Sequence, residues 1–117
     1  MRHHNNVRKF GRNSSQRHAL MKGLMLSLIK HGKIETTEAK AKELRPAIEK
    51  MITKANMGTL ASRRIVISRL YNLTAEANKL ISDIAPKYKD GKGGYTRITK
   101  LPRRAGDASK MAIIEFI

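Results

Sequence analysis

The sequence predicts an α+β fold of two layers: helix, strand, three helices and two strands, a small mixed or antiparallel sheet with helices packed on it, and a basic N-terminal arm. Three observations predict it. Apolar residues recur at helical spacing through residues 15–84, and β-branched or apolar segments stand at 33–37, 95–101 and 111–117. The chain is 117 residues long, enough for one core and too short for a second. The expected organisation is an extended arm over residues 1–13 and a single domain over 14–117, with a basic loop at 87–94 and a hairpin turn at 102–109.

Residues 1–13 hold Asn5, Asn6, Gly11 and Asn13, with isolated apolar residues at Val7 and Phe10, so neither a helical nor a strand stripe can form there. Ser14 and Ser15 are good N-caps for a first helix over about 15–30, whose stripe is Leu20, Met21, Leu24, Met25 and Leu28, with Gly32 as its left-handed stop. Leu26 falls opposite that stripe, so this helix is either covered on a second side or has one exposed leucine, the commoner case. Lys33–Thr37 fits a brief strand running into an N-cap at Thr36 or Thr37. Ala41, Leu44, Ile48, Met51, Ile52 and Ala55 then form one amphipathic face, within which Pro46 kinks the helix or begins it anew. Gly58 and Thr59 end that helix and cap the next, with Leu60, Ala61, Ile65, Ile67 and Leu70 as its apolar set. A last helix is capped by Thr74, carries Ala77, Leu80, Ile81 and Ile84, and stops at Pro86. Lys87–Gly94, with three glycines and four charges, reads as a flexible loop, and Tyr95–Leu101 pairs with Met111–Ile117 as a hairpin.

Charge carries the functional argument. There are 25 Lys and Arg against 9 Asp and Glu, a formal charge of +16. Residues 1–33 hold eight basic groups, no acid and all four histidines, and residues 87–104 hold seven basic groups against Asp90 alone. These two segments carry +14 of the total, whereas 34–86 reads as ordinary solvated helix faces. Like charges so crowded destabilise a compact state unless a polyanion neutralises them. Fifteen basic groups suffice for the ~6–10 phosphate contacts of a nucleic-acid binder, each releasing counterions. The basic residues lie on an arm and loops rather than on a recognition helix, which suits irregular folded RNA better than a regular duplex groove.

Competing chemistries fit poorly. With no cysteine there is no disulfide, thiolate nucleophile or cysteine-ligated zinc, in keeping with a reducing compartment. The acids are scattered beside lysines, giving no convergent carboxylate pair for acid–base catalysis. His3 and His4 point to opposite sides of an extended arm and cannot chelate one ion together, so no metal or other cofactor is expected. Gly91-Lys92-Gly93-Gly94 lacks the lead and the Ser/Thr of a nucleotide-binding loop, although it can lie against a phosphate backbone. No apolar run approaches the ~18 residues of a membrane span, and the absence of Trp disfavours a lipid-surface binder. A mitochondrial transit peptide over 1–33 is opposed by the helical stripe that the core needs.

Several stretches carry a family resemblance. The opening Arg2-His3-His4, Arg8-Lys9, Gly11-Arg12, Ser14-Ser15 and Arg17, the run from Ile34 to Pro46 continued by Glu49, Met51, Ile52 and Thr53, and the closing Gly93-Gly94-Tyr95-Thr96-Arg97, Gly106-Asp107-Ala108 and Met111–Glu115 occur in order. Together they resemble the bacterial-type large-subunit ribosomal protein L seventeen along essentially the whole chain. Val7, Asn56 and Ala105 depart from the family's usual residues. The resemblance implies a non-enzymatic, cytoplasmic constituent of the large ribosomal subunit that binds large-subunit ribosomal RNA beside neighbouring ribosomal proteins, with no membrane and no small-molecule substrate. A nucleoid-associated DNA-binding protein is the alternative, and an RNA-processing enzyme the third reading. The expected RNA-binding residues are Arg2, His3, His4, Arg8, Lys9, Arg12, Ser14, Arg17, Lys22, Lys40, Lys92, Tyr95, Arg97, Lys100, Arg103 and Arg104, with Tyr95 and the histidines available to stack or hydrogen-bond.

Overall fold

A computed structural model describes residues 10–11, 13–70, 72–91 and 93–117. In chain order the elements are α1 (Ser14–His31), β1 (Lys33–Thr37), α2 (Glu38–Asn56), α3 (Leu60–Arg69), α4 (Thr74–Lys79), β2 (Thr96–Leu101) and β3 (Met111–Phe116). This is the predicted α+β order. The expected arm over 1–13 falls largely outside the described residues.

Helix α1 begins one residue earlier than the serines suggest, because Asn13 is the better cap. Its side chain accepts from the Gln16 N–H at 2.9 Å while the Gln16 side chain accepts from the Asn13 N–H at 3.2 Å, a reciprocal capping box. Gly32 ends the helix in the left-handed region at φ 77°, where a side chain would be strained. Met25, Leu28 and Ile29 are buried. Leu26 also packs against the core instead of standing exposed.

The Thr37 hydroxyl caps α2, accepting from the Lys40 N–H. All six apolar positions expected on α2 are buried: Ala41, Leu44, Ile48, Met51, Ile52 and Ala55. The helix runs through Pro46 without ending. The proline lies on an exposed side of α2, while Leu44 and Ile48 on either side of it are held fully buried in the core.

Sequence and structure part company at α3. Thr59 caps it as expected, in a capping box with Ser62, but the buried residues are Ser62, Val66 and Leu70. Leu60 and Ile65 face outward, 63% and 36% exposed. The reciprocal cap pins Ser62 inward at the first turn, and a ten-residue helix anchored there and at Leu70 turns Leu60 and Ile65 away. In α4, Thr74 is the first helical residue and not the cap, which is Leu73. The helix then widens into a π turn at Leu80–Ile84 and tightens into a 3-10 turn at Ala85–Tyr88, so Pro86 sits inside the last turn rather than stopping the helix before it. The widened turn brings Leu80, Ile84 and Ala85 into the core together.

The sheet order is β1-β3-β2, antiparallel throughout. Ile34, Ile114 and Ile98 form one cross-strand row and Thr36, Ala112 and Lys100 the next. Buried Ala112 and Ile114 mark this face as the one packed on α2, which contacts all three strands. The alternate rows, Lys33–Glu115–Arg97 and Glu35–Ile113–Thr99, belong to the opposite face.

The segment expected as a flexible loop is tied at both ends. The Tyr88 and Tyr95 rings lie with centroids 5.2 Å apart and tilted 45°. The Tyr88 hydroxyl donates to the Ile117 carbonyl, and that of Tyr95 donates to the Gly91 carbonyl. A Cβ on Gly91 would meet the Tyr95 ring at 2.9 Å, so glycine is required there by close approach.

Candidate nucleic-acid interface

The expected contact residues divide by what their side chains already hold. Arg2, His3, His4, Arg8, Lys9, Arg12 and Lys92 lie outside the described residues. On α1, the Ser14 hydroxyl accepts from the Arg17 guanidinium at 3.3 Å, and Arg17 and Lys22 are half-buried along the helix. Lys40 stands in the first turn of α2, its N–H committed to the Thr37 cap and its side chain half-buried.

A cationic cluster forms where the N-terminus of α2 meets the hairpin. Glu38 accepts from Lys42 at 2.9 Å and pairs with Lys100 at 3.6 Å, and its N–H donates to the Lys110 carbonyl. The Lys42 hydrogen bond holds the Glu38 carboxyl below its ordinary pKa, with the charges of Lys42, Lys100 and Lys110 acting in the same direction against desolvation. Beside it opens a cavity of about 360 Å³ lined by Thr37, Glu38, Ala39, Lys42, Ser109 and Lys110. Three lysines around one carboxylate leave a net positive site that an anion can complete.

The hairpin turn is built by charge. Arg104 grips Asp107 through two bonds, Nε at 3.0 Å and a terminal nitrogen at 2.7 Å, and Asp107 also accepts from the Ser109 N–H at 3.1 Å. The Arg104 hydrogen bond, reinforced by the Ser109 contacts, holds the Asp107 carboxyl far below the usual carboxylate range. Arg103 donates to the Ala108 carbonyl at 3.1 Å, helping to hold Ala108 at φ 56° in the left-handed region. Both arginines thus shape the turn while presenting exposed positive charge. On the other face of the sheet, Arg97 pairs with Glu115 at 3.4 Å, in the same cross-strand row as Lys33.

Tyr95 requires correction. It is 5% exposed, its ring packed against Tyr88 and its hydroxyl used on Gly91, so its face is not available for a base to stack upon. Sequence reasoning also passed over Lys42 and Lys110. The Glu38–Lys42 spacing of four residues signals a helical ion pair, but nothing local to either shows that Lys100 and Lys110 converge on the same carboxylate. Among the described residues no three His, Asp or Glu side chains gather to hold a metal ion, and no helix is long and apolar enough to cross a membrane.

Comparison with known proteins matches the sequence to one family. The family model described as Ribosomal protein L17 matches residues 20–117. The chain is 52% identical over 117 residues to the protein named large ribosomal subunit protein bL17 from Campylobacter jejuni subsp. doylei, covering all of this chain and 99% of the relative. The proteins of the same name from Persephonella marina and Wolinella succinogenes are 52% and 51% identical, with all of this chain and 95% and 100% of the relatives covered. A match over the whole core, strands and hairpin included, together with full-length identity above half, means that this chain belongs to the ribosomal protein L17 family.

Proposed function

We propose that this protein is a structural, non-catalytic constituent of the large ribosomal subunit. In this reading it binds and stabilises large-subunit ribosomal RNA through its basic segments, beside neighbouring ribosomal proteins, and so supports translation in the cytoplasm. The observation that carries the reading is the charge partition: +14 of +16 in two segments, on a chain whose full-length relatives are named large ribosomal subunit proteins.

Residues 1–13 act as an arm laid along RNA, and 14–117 hold the second basic segment at a set position relative to it. Arg97, Lys100, Arg103 and Arg104 contact phosphates from the hairpin, with Arg104 pre-oriented by Asp107 so that little side-chain freedom is lost on binding. Lys40 and Lys22 contribute from the helices, and Lys42 and Lys110 join Lys100 beside Glu38. Affinity comes from counterion release and position from the spacing of these groups.

Sedimentation tests this. Tagged protein expressed in cells should travel with large subunits through moderate salt and leave them as salt rises. Migration with DNA, or as free protein at low salt, would refute the ribosomal reading.

A further inference from the structure

The central helices hold a second population of basic residues, sorted by the same criterion. Arg63 donates to Asn78 and Lys79 donates to the Lys30 carbonyl at the end of α1; each is spent on the fold. Lys50, Lys54 and Arg69 differ, having no side-chain hydrogen bond or ion pair among the described residues. They are also gathered together. All three line one open groove of about 610 Å³ between α2 and the end of α3, and Lys50 and Arg69 continue into an adjoining groove of about 320 Å³.

Lys50 and Lys54 are four residues apart on α2, which sets their Cβ atoms about 5–6 Å apart, and Arg69 reaches the same groove from α3. The acid within the larger groove, Glu49, is turned to Thr96, whose N–H and hydroxyl donate to its carboxylate at 3.3 and 3.0 Å, and its single negative charge leaves the three cations in excess. Glu43 lines the smaller groove and leaves the local balance positive. Three unpaired cations held together repel one another, and the arrangement favours a ligand that brings negative charge at intervals.

The remaining wall suits a nucleic-acid backbone. Gly93 lines the groove at φ 134°, with nothing within 4 Å of where a Cβ would stand, so a sugar–phosphate chain can approach its backbone closely. Gly93 belongs to the basic 87–94 stretch, which makes the groove a continuation of that segment onto α2. Met57, 58% exposed, supplies an apolar wall for a ribose or base face. We propose that the α2–α3 groove holding Lys50, Lys54 and Arg69 is a third binding site for the phosphate backbone of folded RNA, on the part of the chain whose net charge conceals it. The proposal rests on the RNA-binding reading above.

The test is filter binding of the full-length protein to deproteinised large-subunit ribosomal RNA across a salt series. The triple variant Lys50→Gln, Lys54→Gln, Arg69→Gln should lower the slope of log affinity against log salt by about 3, and Arg69→Gln alone by about 1. Lys50→Arg with Lys54→Arg should keep the wild-type slope. All the substituted side chains are exposed or half-buried, and matching circular-dichroism spectra establish that the variants are folded. A folded triple variant with the wild-type slope overturns the groove assignment while leaving the RNA-binding reading intact. Wild-type protein without salt-dependent RNA binding overturns both.

Discussion

Glu49 ties the central helix to the first residue of an edge strand, and its removal gives a sharp energetic prediction. Its carboxylate accepts two hydrogen bonds from Thr96, which is only 2% exposed. In Glu49→Ala both donors lose this partner inside the protein. The hydroxyl can rotate towards another acceptor, but the N–H direction is set by the strand. A buried donor left unpaired costs about 1–3 kcal/mol, so the variant should lose roughly 2–4 kcal/mol of stability. For a domain of this size that corresponds to a fall in Tm of about 8–15 °C. Glu49→Gln keeps a neutral acceptor and should lose about half as much, since hydrogen bonds to ionised groups are roughly twice as strong. Urea denaturation followed by circular dichroism measures both variants, with an unchanged m-value confirming an unchanged native surface. Because Thr96→Val removes the hydroxyl, Glu49→Ala should cost about 1 kcal/mol less in that background. A loss below about 0.5 kcal/mol for Glu49→Ala, or an identical cost in both backgrounds, would refute the reasoning.

Two further predictions concern the core and the turn. Leu44 is fully buried at the centre of α2, so Leu44→Ala should cost about 2–5 kcal/mol in chemical denaturation, whereas Leu60→Ala at an exposed position should stay within ~0.5 kcal/mol; equal costs would contradict the burial pattern. Asp107 has its carboxyl pKa depressed in the folded state by Arg104, so its stabilising contribution is complete above the ordinary value of 3.8 and is lost progressively as pH falls from there to the lower folded value. A carboxyl-detected NMR titration should find Asp107 still ionised where a free aspartate is half protonated, and a midpoint at or above 3.8 would show that the Arg104 grip is absent in solution.

What was legible in the sequence followed from strong local rules. The α2 face was legible because six apolar positions repeat over nineteen residues with a threonine cap ahead of them, a pattern that no other period reproduces. The hairpin was legible from β-branched segments flanking a polar turn. The shorter α3 was not, because within ten residues a dense set of Leu, Ile and Val offers more than one apolar face, and the capping box chose between them. Tyr95 was misread for a related reason: an aromatic beside glycines and cations has the composition of a stacking platform, and only its packing against Tyr88 and Gly91 shows that its ring is used internally. At the candidate interface, the clustering of charge along the chain was readable, but the duties of individual cations were not. Arg104 and Lys50 are equally basic in the sequence; one is bound to Asp107 and the other has no partner among the described residues.

The sequence alone determined the class of fold, the order of its elements, the family and the concentration of positive charge in two segments, because periodicity, capping and net charge are local or additive properties. Tertiary structure decided which cations are paired within the fold and which are not. That division depends on whether a carboxylate or carbonyl from a distant part of the chain comes within hydrogen-bond reach. Glu38 meets Lys100 and Glu49 meets Thr96 only because antiparallel pairing and the packing of α2 on the sheet carry residues 62 and 47 positions apart into contact.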